Sequence, residues 1–257
     1  MLQSMRKEKI ISLLGKKNEY NKINQLCKYF EVSLATIHRD LNELEREGRV
    51  KKVHGGVLLN VVEKVESRNI IRLKTNIKLK KKISVKALEF VENGDCLYID
   101  NSTTCYYFAK ILSESKFIDI VVVTNSSLIP SLFLENKNIQ VVSTGGFLEK
   151  EYNCFVGQCA IATINEFNGN KFFLSTGVIS SKGELSDDFR PNLIEIKRNM
   201  FKRSKEHICL VDSTKLNRIG QSKVFLILEM DKIITDGSCS RETRKEFARI
   251  GKELIIA

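Results

Sequence analysis

Between Lys22 and Gly48 the chain places two short amphipathic segments with only Glu31 and Val32 to turn between them, and few folds accommodate that. In the first, Lys22 to Phe30, the residues Ile23, Leu26, Cys27 and Phe30 fall at i, i+3, i+4 and i+7, the spacing of one helical face. In the second, Leu34, Ile37, Leu41 and Leu44 share a face, Ser33 stands where an N-cap is needed, and Gly48 ends the helix. A solvated amphipathic helix would explain either stripe. It does not explain the short turn between two short helices. A further helix over Gln3 to Leu14, with Met5, Ile10, Ile11 and Leu14 on its apolar side, completes a three-helix unit.

At about 100° per residue, Arg39 projects almost opposite the stripe of the third helix, with Ala35, Thr36 and Glu43 near it and His38 on the flank. Small, polar and basic side chains on the outer N-terminal half suit a helix that enters a DNA major groove. The run RVKKVHGGV follows, in which Val50 and Val53 flank Lys51 and Lys52 before Gly55 and Gly56 permit a tight turn. It reads as a two-stranded wing that lays cations on a phosphate backbone. The charge distribution agrees: residues 1–90 hold 21 Lys+Arg against 10 Asp+Glu, and residues 91–257 hold 21 of each. A codon bias toward lysine would act along the whole chain, so the asymmetry points to a polyanion-binding end.

The 257 residues, 42% hydrophobic, suffice for a sizeable core and a small satellite domain. With no apolar run long enough for a membrane span and no signal-peptide pattern at MLQSMRKEKI, a soluble cytoplasmic protein is expected. The seven cysteines show no C-x-x-C pair and no zinc-ligand spacing; they read as reduced core thiols, and no metal or cofactor is expected.

Lys74 to Glu92 reads as mostly helix, packing through Leu79, Ile83, Ala87 and Leu88, with the run Lys78, Lys80, Lys81, Lys82 as a solvated face and DNA contact as the alternative. Beyond Gly94 apolar strands alternate with helices: CLYID, helix Thr103–Leu112, DIVVVT, helix Ser126–Leu134, IQVVST, helix Gly157–Phe167, KFFLSTG, helix Leu193–Ser204, HICLVD, KIITD, helix Arg241–Ile250 and ELIIA. Strands so apolar and so interleaved predict an α/β fold with a parallel, Rossmann-like sheet. Ligands in such sheets sit at the carboxyl ends of strands. There the loops Asp100–Thr104, Thr124–Ser126, Ser143–Gly146, Ser175–Gly177 and Asp212–Lys215 recur as clusters of hydroxyls and glycines, suited to an anion at a helix start.

The residues Val32-Ser33, Thr36-Ile37, Arg39-Asp40-Leu41, Leu44-Glu45, Gly48 and His54-Gly55-Gly56 closely resemble the N-terminal signature of DeoR-type bacterial transcription regulators. The resemblance continues through Asp100 to Thr104, Val123-Thr124-Asn125, Thr144-Gly145-Gly146, Glu195-x-Lys197 with Met200, and Asp212-Ser213-x-Lys215, and so covers nearly the whole chain. It implies a winged helix-turn-helix domain over 1–57, a linker over 58–75, and over 76–257 an effector domain that resembles ribose-phosphate isomerases and binds sugar phosphates. On this reading Ser33, Thr36, His38 and Arg39 meet the groove, and Lys51, Lys52 and His54 meet phosphates. In the effector domain Ser102, Thr103, Thr104 and Gly146 would hold the phosphate, and Lys197, Asp212 and Lys215 the sugar hydroxyls or the phosphate's charge. Asp100, Thr124, Asn125 and Gly145 complete the implied effector site. His38 stands where the family usually carries Arg, and Ser102 where its D-x-G-T-T run has Gly; the first bears on operator sequence, the second on effector identity.

The function so implied is a repressor of a carbohydrate operon, binding double-stranded operator DNA as a dimer or tetramer and released by a phosphorylated sugar. Two other classes compete with it. A sugar-phosphate isomerase would use Asp100 or Glu195 as base near Lys197, though a DNA-binding head has no use in it. A thiol-based redox regulator would use Cys154 and Cys159, with only Lys150 near enough to lower a thiol pKa.

Overall fold

The computed structural model describes residues 3–17, 21–47, 49–53, 56–59 and 68–257. The chain divides into two compact units, Met1–Glu66 and Ser67–Ala257.

The N-terminal unit runs α1 (Gln3–Lys17), β1 (Asn21–Lys22), α2 (Ile23–Phe30), α3 (Leu34–Arg46), β2 (Val50–Val53) and β3 (Gly56–Leu59). Its core is the set the helical spacing predicts: Ile10 and Leu14 from α1, Ile23, Leu26 and Phe30 from α2, and Ile37, Leu41 and Leu44 from α3, closed by Val50 and Val57 of the wing. Two stripe members do not join it. Met5 is exposed, and Leu34, in the first turn of α3, is 50% exposed. The wing is an antiparallel sheet in the order β1-β3-β2, with Lys52 opposite Val57 and Asn21 opposite the same residue on the other edge. The third strand comes from the residue the sequence assigns to the start of α2. Gly48, His54 and Gly55 lie outside the described residues.

The C-terminal unit runs α4 (Arg68–Lys74), α5 (Ile77–Ala87), β4 (Cys96–Ile99), α6 (Thr103–Ser113), β5 (Ile120–Thr124), β6 (Ile139–Ser143), β7 (Phe147–Glu149), β8 (Cys154–Val156), α7 (Gln158–Asn165), β9 (Gly169–Leu174), β10 (Val178–Ile179), β11 (Glu184–Asp187), α8 (Pro191–Lys202), β12 (Ser204–Leu210), β13 (Ser222–Leu226), β14 (Lys232–Thr235), α9 (Arg241–Arg249) and β15 (Ile255–Ile256). Seven strands form one parallel sheet in the order β15-β14-β12-β9-β4-β5-β6. Both faces are buried, which is why the strands read as continuous apolar runs. Leu97, Ile99, Phe173, Ile208, Leu210 and Ile234 face α5 and α6. The alternate residues Tyr98, Phe172, Leu174, Cys209 and Ile233 pack on the other face with α7, α8 and α9. Among the described residues no helix is long and apolar enough to cross a membrane.

Three expectations change. Ser126–Leu134 holds only a 3-10 turn at Pro130–Phe133, since Pro130 has no N–H to donate to the Ser126 carbonyl and so cannot continue a helix begun there. Residues 68–74, expected within a linker, form α4, anchored on the sheet domain where Asn69 Nδ2 donates to Tyr152 O at 2.7 Å and Tyr107 Oη to Leu73 O at 3.1 Å. Lys80, expected in a solvated run, is only 3% exposed. The small antiparallel sheets β7-β8 and β10-β11-β13 are additions to the expected fold.

From β4 the chain winds outward through β5 and β6, then returns to β9 and winds the other way. The strand order therefore reverses between β4 and β9, the position at which such sheets open a crevice at their carboxyl ends.

Candidate nucleic-acid interface and anion cleft

On α3 the cap is as the sequence implies. Ser33 Oγ accepts from Thr36 N at 3.2 Å and lies 2.9 Å from Thr36 Oγ1. Arg39 is exposed, with Thr36 and His38 half-buried beside it. Arg39 has no ion-pair partner among the described residues. Its neighbour Asp40 turns fully inward and meets Arg6 of α1, with Nε to Oδ2 at 2.5 Å and Nη2 to Oδ1 at 3.2 Å. This buried pair ties α3 to α1 and so sets how the outer face is presented. Glu43, expected near the outer face, is half-buried and pairs with Lys7 at 3.2 Å.

The two wing lysines divide by the alternation of a strand. Lys51 is exposed, with no ion-pair partner among the described residues. Lys52 folds back on α3: its ammonium bonds Asn42 and lies 3.3 Å from Glu45, whose other oxygen accepts the Lys52 N–H at 2.9 Å. Lys52 thus braces the wing, while Lys51 stays available.

In the C-terminal unit a cleft opens at the carboxyl ends of β4 and β9, where the strand order reverses. It is lined by Ser102 and Thr103 at the start of α6, by Ser175, Thr176 and Gly177 after β9, and by Lys197 and Lys215. Asp100 lies beneath, without exposed surface. It accepts from Ser102 N at 2.8 Å and Ser175 N at 3.0 Å, clamping the two loops together. Lys197 donates to Ser175 O at 2.7 Å and Asp187 at 2.6 Å, with Asp100 at 3.5 Å. Burial opposes its charge, but Asp187 and Asp100 outweigh that and hold the ammonium above the ordinary lysine range. Among the described residues Lys215 reaches only the carbonyl of Thr176, at 3.0 Å. Burial pulls its pKa down, against the attraction of Asp212 and Asp187. The Oγ of Ser175 is buried without a hydrogen-bond partner, as is Oγ1 of Thr104 one turn into α6. The first N–H groups of α6 have no intrahelical acceptor and add a positive helix end to the cleft.

A second lobe adjoins the first and shares Arg72, Thr103, Gly177 and Lys215 with it; Asp212, Lys80 and Arg218 belong to this lobe. The structure thus brings together Ser102, Thr103, Lys197, Asp212 and Lys215, with Asp100 as their support. It does not bring Thr124, Asn125, Gly145 or Gly146 to the cleft. Thr124 Oγ1 accepts from Ser126 N at 3.1 Å, and Asn125 O from Phe155 N of the β7-β8 hairpin at 2.7 Å. Gly146, at φ +107°, approaches Val156 so closely that a Cβ would stand 2.6 Å from its carbonyl oxygen. Close packing on the hairpin accounts for this glycine. Cleft residues absent from the sequence reading are Arg72 and Asn69 of α4, Tyr152, and Asp187, Asp188 and Arg190 at the end of β11. They come from segments without strand-end motifs, brought in by packing.

Cys154 is buried, and burial pushes its thiol up to about 12, so it lacks the thiolate that a redox pair with the exposed Cys159 would need.

Comparison with known proteins accords with this division of the chain. Residues 6–62 match the family model of the DeoR-like helix-turn-helix domain, and residues 75–237 that of the DeoR C terminal sensor domain. An uncharacterized HTH-type transcriptional regulator of Bacillus subtilis (strain 168), YulB, is 32% identical, over 92% of this chain and 90% of its own length. The L-fucose operon activator of Escherichia coli (strain K12) is also 32% identical, over 91% and 96%. The HTH-type transcriptional repressor GlcR of Bacillus subtilis (strain 168) is 29% identical, over 97% and 95%. A capped helix with an outward arginine beside a basic wing, a crevice at the switch point of a parallel sheet, and these matches in the same order along the chain lead to one conclusion: the protein belongs to the DeoR family of transcriptional regulators.

Proposed function

We propose that the chain represses a carbohydrate operon, holding operator DNA through α3 and the wing and releasing it when a phosphorylated sugar fills the cleft. Ser33, Thr36, His38 and Arg39 contact the groove, Lys51 and His54 the phosphate backbone, and Lys52 steadies the wing. The observation that carries the effector half is the convergence of Lys215, the start of α6 and the unpartnered Ser175 hydroxyl in one crevice. The names of the relatives, an L-fucose operon activator and a repressor among them, support sugar-linked control. We take repression as the sign because a chain that only occupies DNA excludes polymerase without a further contact. Two half-sites call for a homo-oligomer, a dimer or tetramer.

The effector acts only if it binds the DNA-competent and DNA-released forms with different affinity. Turnover is not part of this reading. A base for sugar isomerisation must reach substrate, whereas Asp100 has no exposed surface and is held by two N–H groups, and Glu195 lies exposed on α8 outside the cleft lining.

Thermal shift of the full chain against a panel of sugar phosphates and their unphosphorylated parents tests the effector assignment. A ligand at 100 times its Kd stabilises by about 2.7 kcal/mol, so at least one phosphorylated sugar should raise the melting temperature while its parent does not. A panel without any phosphate-dependent shift, or turnover of ribose 5-phosphate, would overturn the proposal.

A further inference from the structure

The two lobes of the cleft differ in how their charges are matched. Four cations line the first: Arg72, Arg190 and Lys197 each meet a carboxylate, Asp188 at 3.0 Å, Glu151 at 3.2 Å and Asp187 at 2.6 Å, while Lys215, shared with the second lobe, has no ion pair among the described residues. In the second, beside the shared and paired Arg72, the cations Lys80, Lys215 and Arg218 have Asp212 as the one carboxylate of the lining, and none of these three has an ion pair within 4.0 Å among the described residues. Asp212 is itself occupied, accepting from the Thr214 hydroxyl and, at 3.4 Å, from Asn76 Nδ2. A phosphate dianion in the first lobe would meet carboxylates already paired, whereas in the second it would relieve three cations held together on neutral carbonyls without a carboxylate of their own.

We propose that the ligand's phosphate enters the lobe bounded by Lys80, Lys215 and Arg218, with the N-terminal N–H groups of α6 at Thr103, and that its hydroxyl-bearing end lies in the lobe of Asp187, Asp188 and Tyr152. This rests on the reading of the cleft as a phosphorylated-sugar site and adds an orientation and a residue, Lys80, that carries no motif. Lys80 donates to the carbonyls of Arg72 and, at 2.6 Å, of Thr75, at the end of α4. That leaves one of its three N–H groups for a ligand. A cation is a fitting cap for helix carbonyls, but capping alone gives no reason to set a second ammonium, Lys215, beside it.

The placement has a proton-linked consequence. The groups facing Lys80 are Arg72 of α4, the Thr75 carbonyl and Asn76 just beyond that helix, and Asp212, Lys215 and Arg218 from the segment after β12. Burial first, then repulsion from Lys215 and Arg72 against the pull of Asp212, brings the Lys80 pKa down to about 8. An arriving anion favours the charged form, so above pH 8 binding must draw a proton from solvent.

Calorimetric titration of the full chain with inorganic sulfate, an anion that does not itself titrate between pH 6.5 and 9.5, tests this at fixed ionic strength. The wild type should bind at each pH, with affinity flat below pH 7.5 and falling by up to about tenfold per unit above 8. Lys80→Gln, which keeps a donor for the α4 carbonyls, should weaken sulfate at least tenfold at pH 7. Lys80→Arg, which keeps the charge without titrating, should bind within severalfold of wild type and lose the part of the pH dependence that sets in near pH 8, leaving that of the buried Lys215. Undiminished binding by Lys80→Gln, or an unchanged pH profile in Lys80→Arg, would overturn the placement and leave the effector reading standing. No sulfate binding by the wild type would instead count against the anion cleft itself.

Discussion

Removing Asp40 should damage the N-terminal unit far more than removing any exposed residue of α3. Asp40 has no exposed surface and Arg6 only 6%, and their two hydrogen bonds of 2.5 and 3.2 Å join α3 to α1, with Gln3 Nε2 adding a third to Asp40 at 3.1 Å. Asp40→Ala strands a buried guanidinium, and breaking a buried pair by deleting one partner costs ~3–5 kcal/mol. At ~0.05–0.15 kcal/mol per residue, a unit ending at Glu66 has about 3–10 kcal/mol in all. The substitution therefore removes from about a third to all of its stability. Hydrogen exchange on the full chain reads this directly: amides in α1, α2 and α3 should exchange at least a hundredfold faster, since ~1.4 kcal/mol is a factor of ten, while those of β4, β9 and β12 should not change. Combining Arg6→Met with Asp40→Leu, which removes both charges, should restore most of the protection. Acceleration below tenfold in Asp40→Ala would refute the idea that this pair fixes the helix.

Exposed and without an ion pair among the described residues, Arg39 and Lys51 should act on DNA and not on stability. Arg39→Ala is expected to cost about 1–3 kcal/mol in operator affinity, and Lys51→Ala to lower the slope of log affinity against log salt by about one, both measured by electrophoretic shift; an Arg39→Ala chain that binds as wild type with the same salt slope contradicts the groove assignment. In the ligand-free chain the folded state releases the Lys80 proton near pH 8, whereas an unfolded lysine holds it to about 10.4. Between those values the unfolded state binds more protons, so stability from this group rises with pH. The melting temperature of wild type minus that of Lys80→Gln should therefore grow from pH 8 to 10, and a flat difference would mean that Lys80 keeps its proton. Thiol labelling at pH 7.5 should modify the exposed Cys159 promptly and Cys105, Cys154 and Cys209 only on unfolding, since burial raises the last three; fast labelling of Cys154 would reopen the redox reading.

Apolar periodicity made the elements legible because each strand of the main sheet is buried on both faces and each helix of the head buries one stripe. The same rule held two signals that are easy to pass over. Asp40 is i+3 from Ile37 and i−4 from Leu44, and Lys80 is i−3 from Ile83, so both lie on buried arcs, and a charge there has to find a partner. The strands β7, β8, β10 and β11 are two to four residues long and carry no sustained apolar run, so nothing local announces them, whereas β13 enters the apolar run at 224–228. In the cleft, the loops after β4, β9 and β12 followed from the rule that ligands sit at strand ends. The loops after β5 and β6 obey the same local pattern, yet the β7-β8 hairpin covers them, since Phe155 N bonds Asn125 O and Ser127 N bonds Asn153 O at 2.9 Å. Sequence composition alone cannot separate an open strand-end loop from one sealed by a distant hairpin. Arg72, Asp187 and Asp188 were illegible for the complementary reason: their place depends on how α4 and β11 pack.

The coupling between a DNA-gripping head and a metabolite-sensing body is tested most directly by fluorescence anisotropy of a duplex from the chain's own promoter, titrated with the full-length protein with and without the sugar phosphate that gives the largest thermal shift. The account requires salt-sensitive binding of that duplex, weakened at least tenfold by the phosphorylated sugar and unaffected by its unphosphorylated parent. Equal affinity with and without a sugar phosphate that demonstrably binds the protein would contradict it.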